Sequence, residues 1–430
     1  MAHHTVKSGY KKLQERLNLF PLGVPPTETL YKILEILVSE EEARLLALLP
    51  IKPFTVEIAS KNWKITLKEA QKQLEILVGR AVLIDVEING KTSYVIPPPM
   101  AGFFEFSFMR MRGDIDQHLL GQLFYQYMNE EDEFITELFS KETQLGRIFV
   151  DEDVLSYSDK DLLVLDFERS TEVIKTASHI GVGMCYCRHK MEHVGKACNA
   201  PMDICMTFNN TAASLIKSGY ARQIEESECL DLLEQAKEHN LVQFGENVQR
   251  SVNFICNCCG CCCEALVAAR KFGLEQPIHT TNFLPEVKRD NCTGCGKCAL
   301  VCPLKAMTMV SSNDLHGPKQ KVAKLDERVC LGCGVCLRAC PRQAIGLVTR
   351  EQRVITPVDG VHKTVLMAIE RGKLQNLIFD NQVLQSHRMM AAVLGSILKL
   401  PPIKQIMASE QVKSKYIVNL IERRSNKNLK

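Results

Sequence analysis

The residues of this chain best equipped for chemistry are its cysteines: 19 in 430 residues, all between Cys185 and Cys340. Two segments, CTGCGKCALVCP from Cys292 and CLGCGVCLRACP from Cys330, repeat one spacing, Cys-x2-Cys-x2-Cys-x3-Cys-Pro. A third, NFICNCCGCCCEAL (253–266), sets six cysteines into the eight positions from Cys256 to Cys263. A fourth, CYCRHKMEHVGKACNAPMDIC, holds Cys185, Cys187, Cys198 and Cys205, with His189 and His193 between them. Neighbours such as Cys258 and Cys259 reach disulfide geometry only by distorting the backbone between them. The count is odd, and the N-terminal MAHHTVKSGYKKLQERL lacks the apolar core of a secretion signal. A reducing, cytoplasmic setting is expected, where clustered cysteines read as metal or catalytic chemistry.

The two repeated runs have the ligand spacing of bacterial ferredoxins, and residues 286–347 resemble the two-[4Fe-4S] ferredoxin domain. Close spacing lets three thiolates wrap one corner of a cubane, while the fourth leads away and proline ends the loop. In that family the fourth cysteine of each run ligates the other cluster. The resemblance therefore assigns Cys292, Cys295, Cys298 and Cys340 to one cluster, and Cys330, Cys333, Cys336 and Cys302 to the second. Gly294, Gly296, Gly332 and Gly334 would supply backbone freedom and amides aimed at sulfur. Ala306 and the pair Ala344–Ile345 match the small and apolar positions after each Cys-Pro. The stretch SSNDLHGPKQK (311–321) is longer than in the shortest ferredoxins and is expected to extend the central hairpin. Zinc also accepts Cys-x2-Cys, but two complete four-cysteine runs, each ending in proline, favour iron and sulfide. The domain is basic for a ferredoxin: Lys288, Arg289, Lys297, Lys305, Lys319, Lys321, Lys324, Arg328, Arg338 and Arg342 outnumber its carboxylates. Such charge raises a reduction potential and would steer a redox partner with an acidic docking face.

Eleven thiols lie outside the repeat, ten of them clustered. Four suffice for one ordinary cluster, so one or more additional iron–sulfur clusters are expected from Cys185, Cys187, Cys198 and Cys205 with part of the run Cys256, Cys258, Cys259, Cys261, Cys262 and Cys263. The helix-like EALVAAR (264–270) would offer amides to a negative site, and Arg188 and Lys196 would add compensating charge. Zinc or copper thiolate binding at 185–263 and redox-active thiols are the alternatives. His189 and His193 are ligands, acid–base groups or bystanders. Cys229, alone on an apolar helix face, reads as a buried bystander. The order of these motifs is similar to that of larger ferredoxin-domain iron–sulfur proteins of anaerobic bacteria, a resemblance that carries no defined reaction.

The elements that must position these thiols give an α+β multidomain chain. Helical spacing marks 27–38, 40–49, 55–63 and 66–80, the last opened by Thr66 as N-cap. AVLIDVEINGKTSYVIP (81–97) alternates about Asn89–Gly90, a type I′ hairpin signal. Helices followed by this hairpin resemble a winged-helix domain over residues 1–100. The mixed charge of Lys68, Lys72, Arg80, Glu69 and Glu75 on helix 66–80 argues for protein docking and against nucleic acid. A helical connector (101–170), a cysteine-rich α/β metal-binding centre (171–285), the ferredoxin domain (286–350) and a helical C-terminal segment (351–430) follow. In the centre, 170–180 reads as a helix, 226–242 as a helix capped by Ser227, and SVNFIC (251–256) as a strand. Thr356–Pro357 reads as the start of the last helical segment, which ends in a basic tail, ERRSNKNLK.

Hydrophobic content of 46% and charged content of 24% are those of an ordinary globular protein, and a net charge of +3 points to neither nucleic acid nor membrane. The run AAVLGSIL (391–398) is far shorter than the roughly 18 residues of a membrane span. GVGMCY (181–186) begins like a dinucleotide fingerprint, but Tyr186 stands where its third glycine belongs. The favoured expectation is an iron–sulfur electron carrier acting on a redox partner. A reductase with the cysteine-rich centre as its catalytic site is the alternative, and a redox-sensing winged-helix regulator a weaker one. Partner, substrate and oligomeric state are left open.

Overall fold

A computed structural model describes residues 8–88, 90–157, 164–273, 278–312, 321–381 and 383–400. The chain divides into two compact units: Met1–Ser107 with Lys141–Thr143 and Pro357–Lys430, and Phe108–Ser140 with Gln144–Thr356. Among the described residues no helix is long and apolar enough to cross a membrane.

The first unit opens with helices α1 (Ser8–Leu17), α2 (Glu28–Leu37), α3 (Glu40–Ala47), α4 (Val56–Trp63) and α5 (Leu67–Gly79). Local chemistry fixes their starts. Thr27 accepts the Leu30 N–H, and capping boxes join Ser39 to Glu42 and Thr66 to Glu69. The apolar stripe Leu30, Ile33, Leu34 and Leu37 is buried. Strands β1 (Ile84–Ile88) and β2 (Lys91–Val95) pair from Ile84↔Val95 to Ile88↔Lys91. Gly90 takes φ +70°, as the expected turn requires; Asn89 lies outside the described residues. Phe54 bridges Tyr94 through two backbone hydrogen bonds of 3.0 and 2.7 Å, adding a third chain segment to the hairpin.

The second unit carries the cysteines. Its described elements are α6 (Gln117–Tyr125), α7 (Glu133–Phe139), β3 (Gly146–Ile148), α8 (Ser170–Thr176), β4 (Ile180–Met184), α9 (Tyr186–His193), β5 (Asp203–Phe208), α10 (Asn209–Lys217), β6 (Arg222–Gln223), α11 (Glu226–Glu238), β7 (Val242–Glu246), β8 (Phe254–Cys258) and α12 (Glu264–Lys271). The strands form one antiparallel sheet in the order β3-β7-β8-β5-β4-β6. Ile180, Val182, Met206, Phe208 and Ile255 pack on one face against Val173, Ile174, Leu233 and the fully buried Cys229. Side chains alternate along a strand, so Cys205, Cys256 and Cys258 project from the opposite face. The antiparallel pairing sets the end of β4, the start of β5 and the end of β8 side by side. One end of the sheet therefore collects Cys185, Cys205 and the loop Cys258–Cys263.

Several boundaries differ from those expected. The helix expected at 170–180 stops at Thr176, and Ile180 starts a strand instead, because Ile180 and Val182 are needed in the sheet core. β8 begins at Phe254, three residues late: Ser251 has a left-handed φ of +53° and the Asn253 N–H is taken by Glu246 Oε2 at 2.9 Å. Glu225, not Ser227, occupies the N-cap of α11, and Asn240 in the left-handed region ends the segment before β7. The glycines of GVGMCY serve packing: a Cβ on Gly183 would lie 3.0 Å from the Tyr220 carbonyl and the Met109 methyl.

The repeat adds β9 (Phe283–Val287), α13 (Lys297–Val301), β10 (Met307–Ser311), β11 (Lys321–Leu325), α14 (Val335–Arg338) and β12 (Ile345–Thr349). β9 pairs with β12 and β10 with β11. The β10–β11 ladder reaches Ser311↔Lys321; residues 313–320 of the expected hairpin extension lie outside the described residues. Phe283, Met307, Val322, Leu337 and Leu347 make its core, joined by Val150 and Val154 from upstream. Asp151, 2% exposed, accepts from Arg338 at 2.5 Å.

The first unit closes with α15 (Gly360–Glu370), α16 (Leu374–Ile378) and α17 (Gln385–Leu398). Thr356–Pro357 does not start α15; Asp359 does, accepting the His362 N–H at 2.8 Å. The basic tail lies outside the described residues.

Leu233 is 2% exposed in the sheet core and Leu67 is 53% exposed on α5. Leu233→Ala is expected to cost about 2–5 kcal/mol and to move the urea midpoint followed by circular dichroism clearly downward. Leu67→Ala is expected to stay within about 0.5 kcal/mol of wild type.

Candidate metal centre

None of the cysteines is in a disulfide. In the cysteine-rich centre, Cys198, Cys259, Cys261 and Cys262 bring their Sγ atoms within 4.8 Å of one another. Cys198–Cys259 is 3.6 Å, Cys198–Cys262 3.9 Å and Cys261–Cys262 3.8 Å. A single tetrahedral ion with metal–sulfur bonds of about 2.3 Å spaces its sulfurs about 3.8 Å apart. Cys262 is buried and Cys261 exposed, so the set opens to solvent at one corner.

A second group forms where α9 meets α12. Cys263 interacts with Cys187 and Cys258, and Cys258 in turn with Cys256. Hydrogen bonds from Cys187 and Cys258, together with the Leu266 and Ala265 amides at the start of α12, hold the Cys263 thiol well below its ordinary value. The helix start after the cysteine run thus supplies amides to sulfur, as expected from EALVAAR. Cys185 lies near Cys205 and Cys259, and burial pushes its thiol up to about 12. The four upstream cysteines lie in separate places: Cys198 with the loop 259–262, Cys187 with Cys258 and Cys263, and Cys185 near Cys205.

Two buried cations hold these groups. Arg188, 1% exposed, donates to the carbonyls of Pro201 and, at 3.0 Å, Asn257. Burial opposes its charge, but the thiols of Cys185, Cys259 and Cys198 outweigh that and keep the guanidinium charged. A hydrogen bond from Cys262, and then Arg188, bring Cys259 down to about 4 against the opposing effect of burial. Lys190, fully buried, lies 2.5 Å from both Glu264 Oε1 and Asn129 Oδ1, and Asn129 donates to Glu264 Oε2 at 2.9 Å. Glu264 follows Cys263 and Lys190 follows Cys187 by one helical turn, so this triad fixes the distance between the two cysteines. The role of Asn129 carries no sequence signal; that of Glu264 is hinted at only by its place after the run. Lys196, in contrast, donates outward to the Tyr125 hydroxyl at 2.6 Å. His189 and His193 face each other and Phe108; burial, then His189 and His118, lower the His193 pKa.

In the repeat, the eight cysteines line two cavities. One is lined by Cys292, Cys295, Cys298 and Cys340. The other is lined by Cys302, Cys330, Cys333 and Cys336. Each cavity thus mixes three cysteines of one run with the fourth of the other, because α13 and α14 each carry their last cysteine across. The Gly332 amide donates to Cys330 Sγ at 3.3 Å and the Ala344 amide to Cys340 Sγ at 3.4 Å. Burial raises the thiols of Cys298, Cys333 and Cys336, and pushes Cys330 up to about 11, with the neighbouring thiols adding to the rise. A positive centre between the sulfurs reverses that effect.

Residues 286–345 match the family model described as a 4Fe-4S dicluster domain. This segment is an iron–sulfur ferredoxin-like domain. No curated protein and no solved structure matches the chain.

The ferredoxin-like domain touches the cysteine loop directly. A Cβ on Gly260, between Cys259 and Cys261, would sit 2.3 Å from the Pro303 carbonyl, and Pro303 follows Cys302. No larger residue fits there without moving the loop. Beside this contact opens a cleft of about 540 Å³ lined by Cys259, Cys261, Cys302, Arg270, Lys305 and His239, among others.

Lys190→Met leaves Glu264 buried without its cation and is expected to cost about 3–5 kcal/mol. The double change Lys190→Met with Glu264→Leu removes both charges and should recover much of that loss. Thermal unfolding of the three proteins under anaerobic conditions checks the order; equal loss in the single and double variants would show that the pair is not what the site leans on.

Proposed function

We propose that the protein is an iron–sulfur electron carrier with two [4Fe-4S] clusters and a thiolate metal site in its cysteine-rich centre. Cys292, Cys295, Cys298 and Cys340 would hold one cluster, and Cys302, Cys330, Cys333 and Cys336 the other. Bound there, such clusters accept and donate single electrons. The observation that carries the reading is the packing of Gly260 against Pro303, which seats the cysteine loop against the second ligand set. The first set reaches the surface through the exposed Cys295, beside Arg342 and two residues before the exposed Lys297. An acidic redox partner would dock on that rim. Electrons would then pass from the outer set through the inner set to the centre, or in reverse.

At the centre, sulfur spacings of 3.6–3.9 Å among Cys198, Cys259, Cys261 and Cys262 favour a single tetrahedral ion, zinc or iron, over a further cubane. Cubane thiolates each bind a different iron and stand apart across the cluster body. In the first unit, α3, α4, α5 and the bridged hairpin support a winged-helix-like reading. The outward face of α5 mixes Leu67 and Ile76 with Lys68, Lys72, Glu69 and Glu75, which suits a protein surface better than DNA. A second reading, a reductase, draws on the cleft beside Cys261, where a small anion would meet Arg270 and Lys305. Turnover of such a substrate with a reduced viologen as electron donor separates reductase from carrier.

Metal and sulfide counts on anaerobically purified protein test the assignment. Two cubanes give about eight iron and eight sulfide per chain, and the tetrahedral thiolate site adds one further iron or zinc without sulfide. Sulfide near four or below would remove the two-cluster reading. Sulfide near twelve would put a third cubane in the centre and overturn the single-ion assignment.

A further inference from the structure

His189 and His193 are one helical turn apart on α9, the i, i+4 spacing that places two imidazoles on one face of a helix. Their Nε2 atoms converge to 3.2 Å. His189 is 1% exposed, and its Nδ1 lies 2.8 Å from the Phe108 carbonyl oxygen. A carbonyl only accepts, so Nδ1 carries the proton and the neutral ring presents its Nε2 lone pair to His193. That backbone anchor on the far nitrogen is the support metal-bound histidines regularly have. Two nitrogens each about 2.0–2.1 Å from a tetrahedral ion stand about 3.3–3.4 Å apart, close to the separation found. Phe108 packs edge-on against both rings, at 5.2 and 5.6 Å, and Gly121 of α6 leaves room for His193, since a Cβ there would come within 2.7 Å of its side chain.

A third imidazole is at hand. The His118 ring on α6 is exposed and centred 6.0 Å from that of His193; its Nε2 pairs with Gln122 Nε2 at 3.0 Å, so it reaches the pair by turning its side chain. Asp116, also near His193, is already engaged as the N-cap of α6, accepting the Leu119 N–H at 2.9 Å. We propose that His189, His193 and His118 form a nitrogen-ligand site for a divalent ion of the zinc type, with solvent in the fourth position, separate from the thiolate sites. The inference does not rest on the electron-carrier reading. The competing account is a plain N–H···N hydrogen bond between two histidines.

Zinc K-edge X-ray absorption on the anaerobically purified holoprotein, equilibrated with zinc, distinguishes them. Thiolate-bound zinc shows sulfur at about 2.3 Å, and the histidine site shows nitrogen or oxygen at about 2.0–2.1 Å with imidazole outer shells. His193→Gln, at a half-exposed position, is expected to remove one equivalent of zinc and the imidazole signal while iron and sulfide stay at wild-type values. His118→Ala, at an exposed position that does not threaten the fold, is expected to let a chelator strip the same equivalent much faster. A sulfur-only zinc shell in the wild type, or zinc and imidazole scattering unchanged in His193→Gln, overturns the proposal.

Discussion

Six sulfurs within eight residues repel one another once they lose their protons, and burial raises the cost of each charge. The fold around the cysteine-rich centre answers this with positive charge brought in from a neighbouring helix. Arg188 places a guanidinium among Cys185, Cys198 and Cys259, and the start of α12 turns amides toward Cys263. Lys190 does not face sulfur. It neutralises Glu264, so the first turn of α12 enters the interior without an unpaired carboxylate. The pair sits where α9 meets α12, beside the Cys187–Cys263 contact.

The same demand shapes the ferredoxin-like domain differently. There the sulfurs line two cavities, and the fit to a cluster comes from amides and four thiols per cavity. Gly294, Gly296, Gly332 and Gly334 all take positive φ, which lets the ligand loops curl around their contents. In the centre the sulfurs touch each other instead. One chain therefore holds two kinds of sulfur site, and Gly260 against Pro303 is where they meet.

Much of this was legible from spacing. The repeated run marks the dicluster segment, and the resemblance to ferredoxins supplies the two four-cysteine sets that line its two cavities. The cap at Thr66 is local too, and the helix it starts lies within two residues of expectation. What could not be read was set by contacts across the chain. Cys198 pairs with a loop sixty residues away through sheet register, and Asn129 reaches Glu264 from a helix with no motif. The start of β8 depended on Ser251 entering a left-handed turn, and that of α11 on Glu225 standing where a serine cap was expected at Ser227. Spacing alone does not separate the ten central cysteines, and the fold divides them.

That division bears on how electrons would leave the second cluster. Sulfur is the only side-chain chemistry on the cysteine loop at its contact with Pro303, because Gly260 contributes none and its neighbours are Cys259 and Cys261. Any coupling from the Cys302 ligand set into the centre would therefore reach Cys259 or Cys261 first, and both belong to the set that includes Cys198 and Cys262. Cys187, Cys258 and Cys263 lie behind it, at the Lys190–Glu264 clamp. An iron ion held by Cys198, Cys259, Cys261 and Cys262 would continue the electron path, whereas zinc would end it, since zinc has no redox chemistry. The identity of an ion held at Cys198, Cys259, Cys261 and Cys262 would thus decide whether the centre is a relay or a rigid wall beside the cleft.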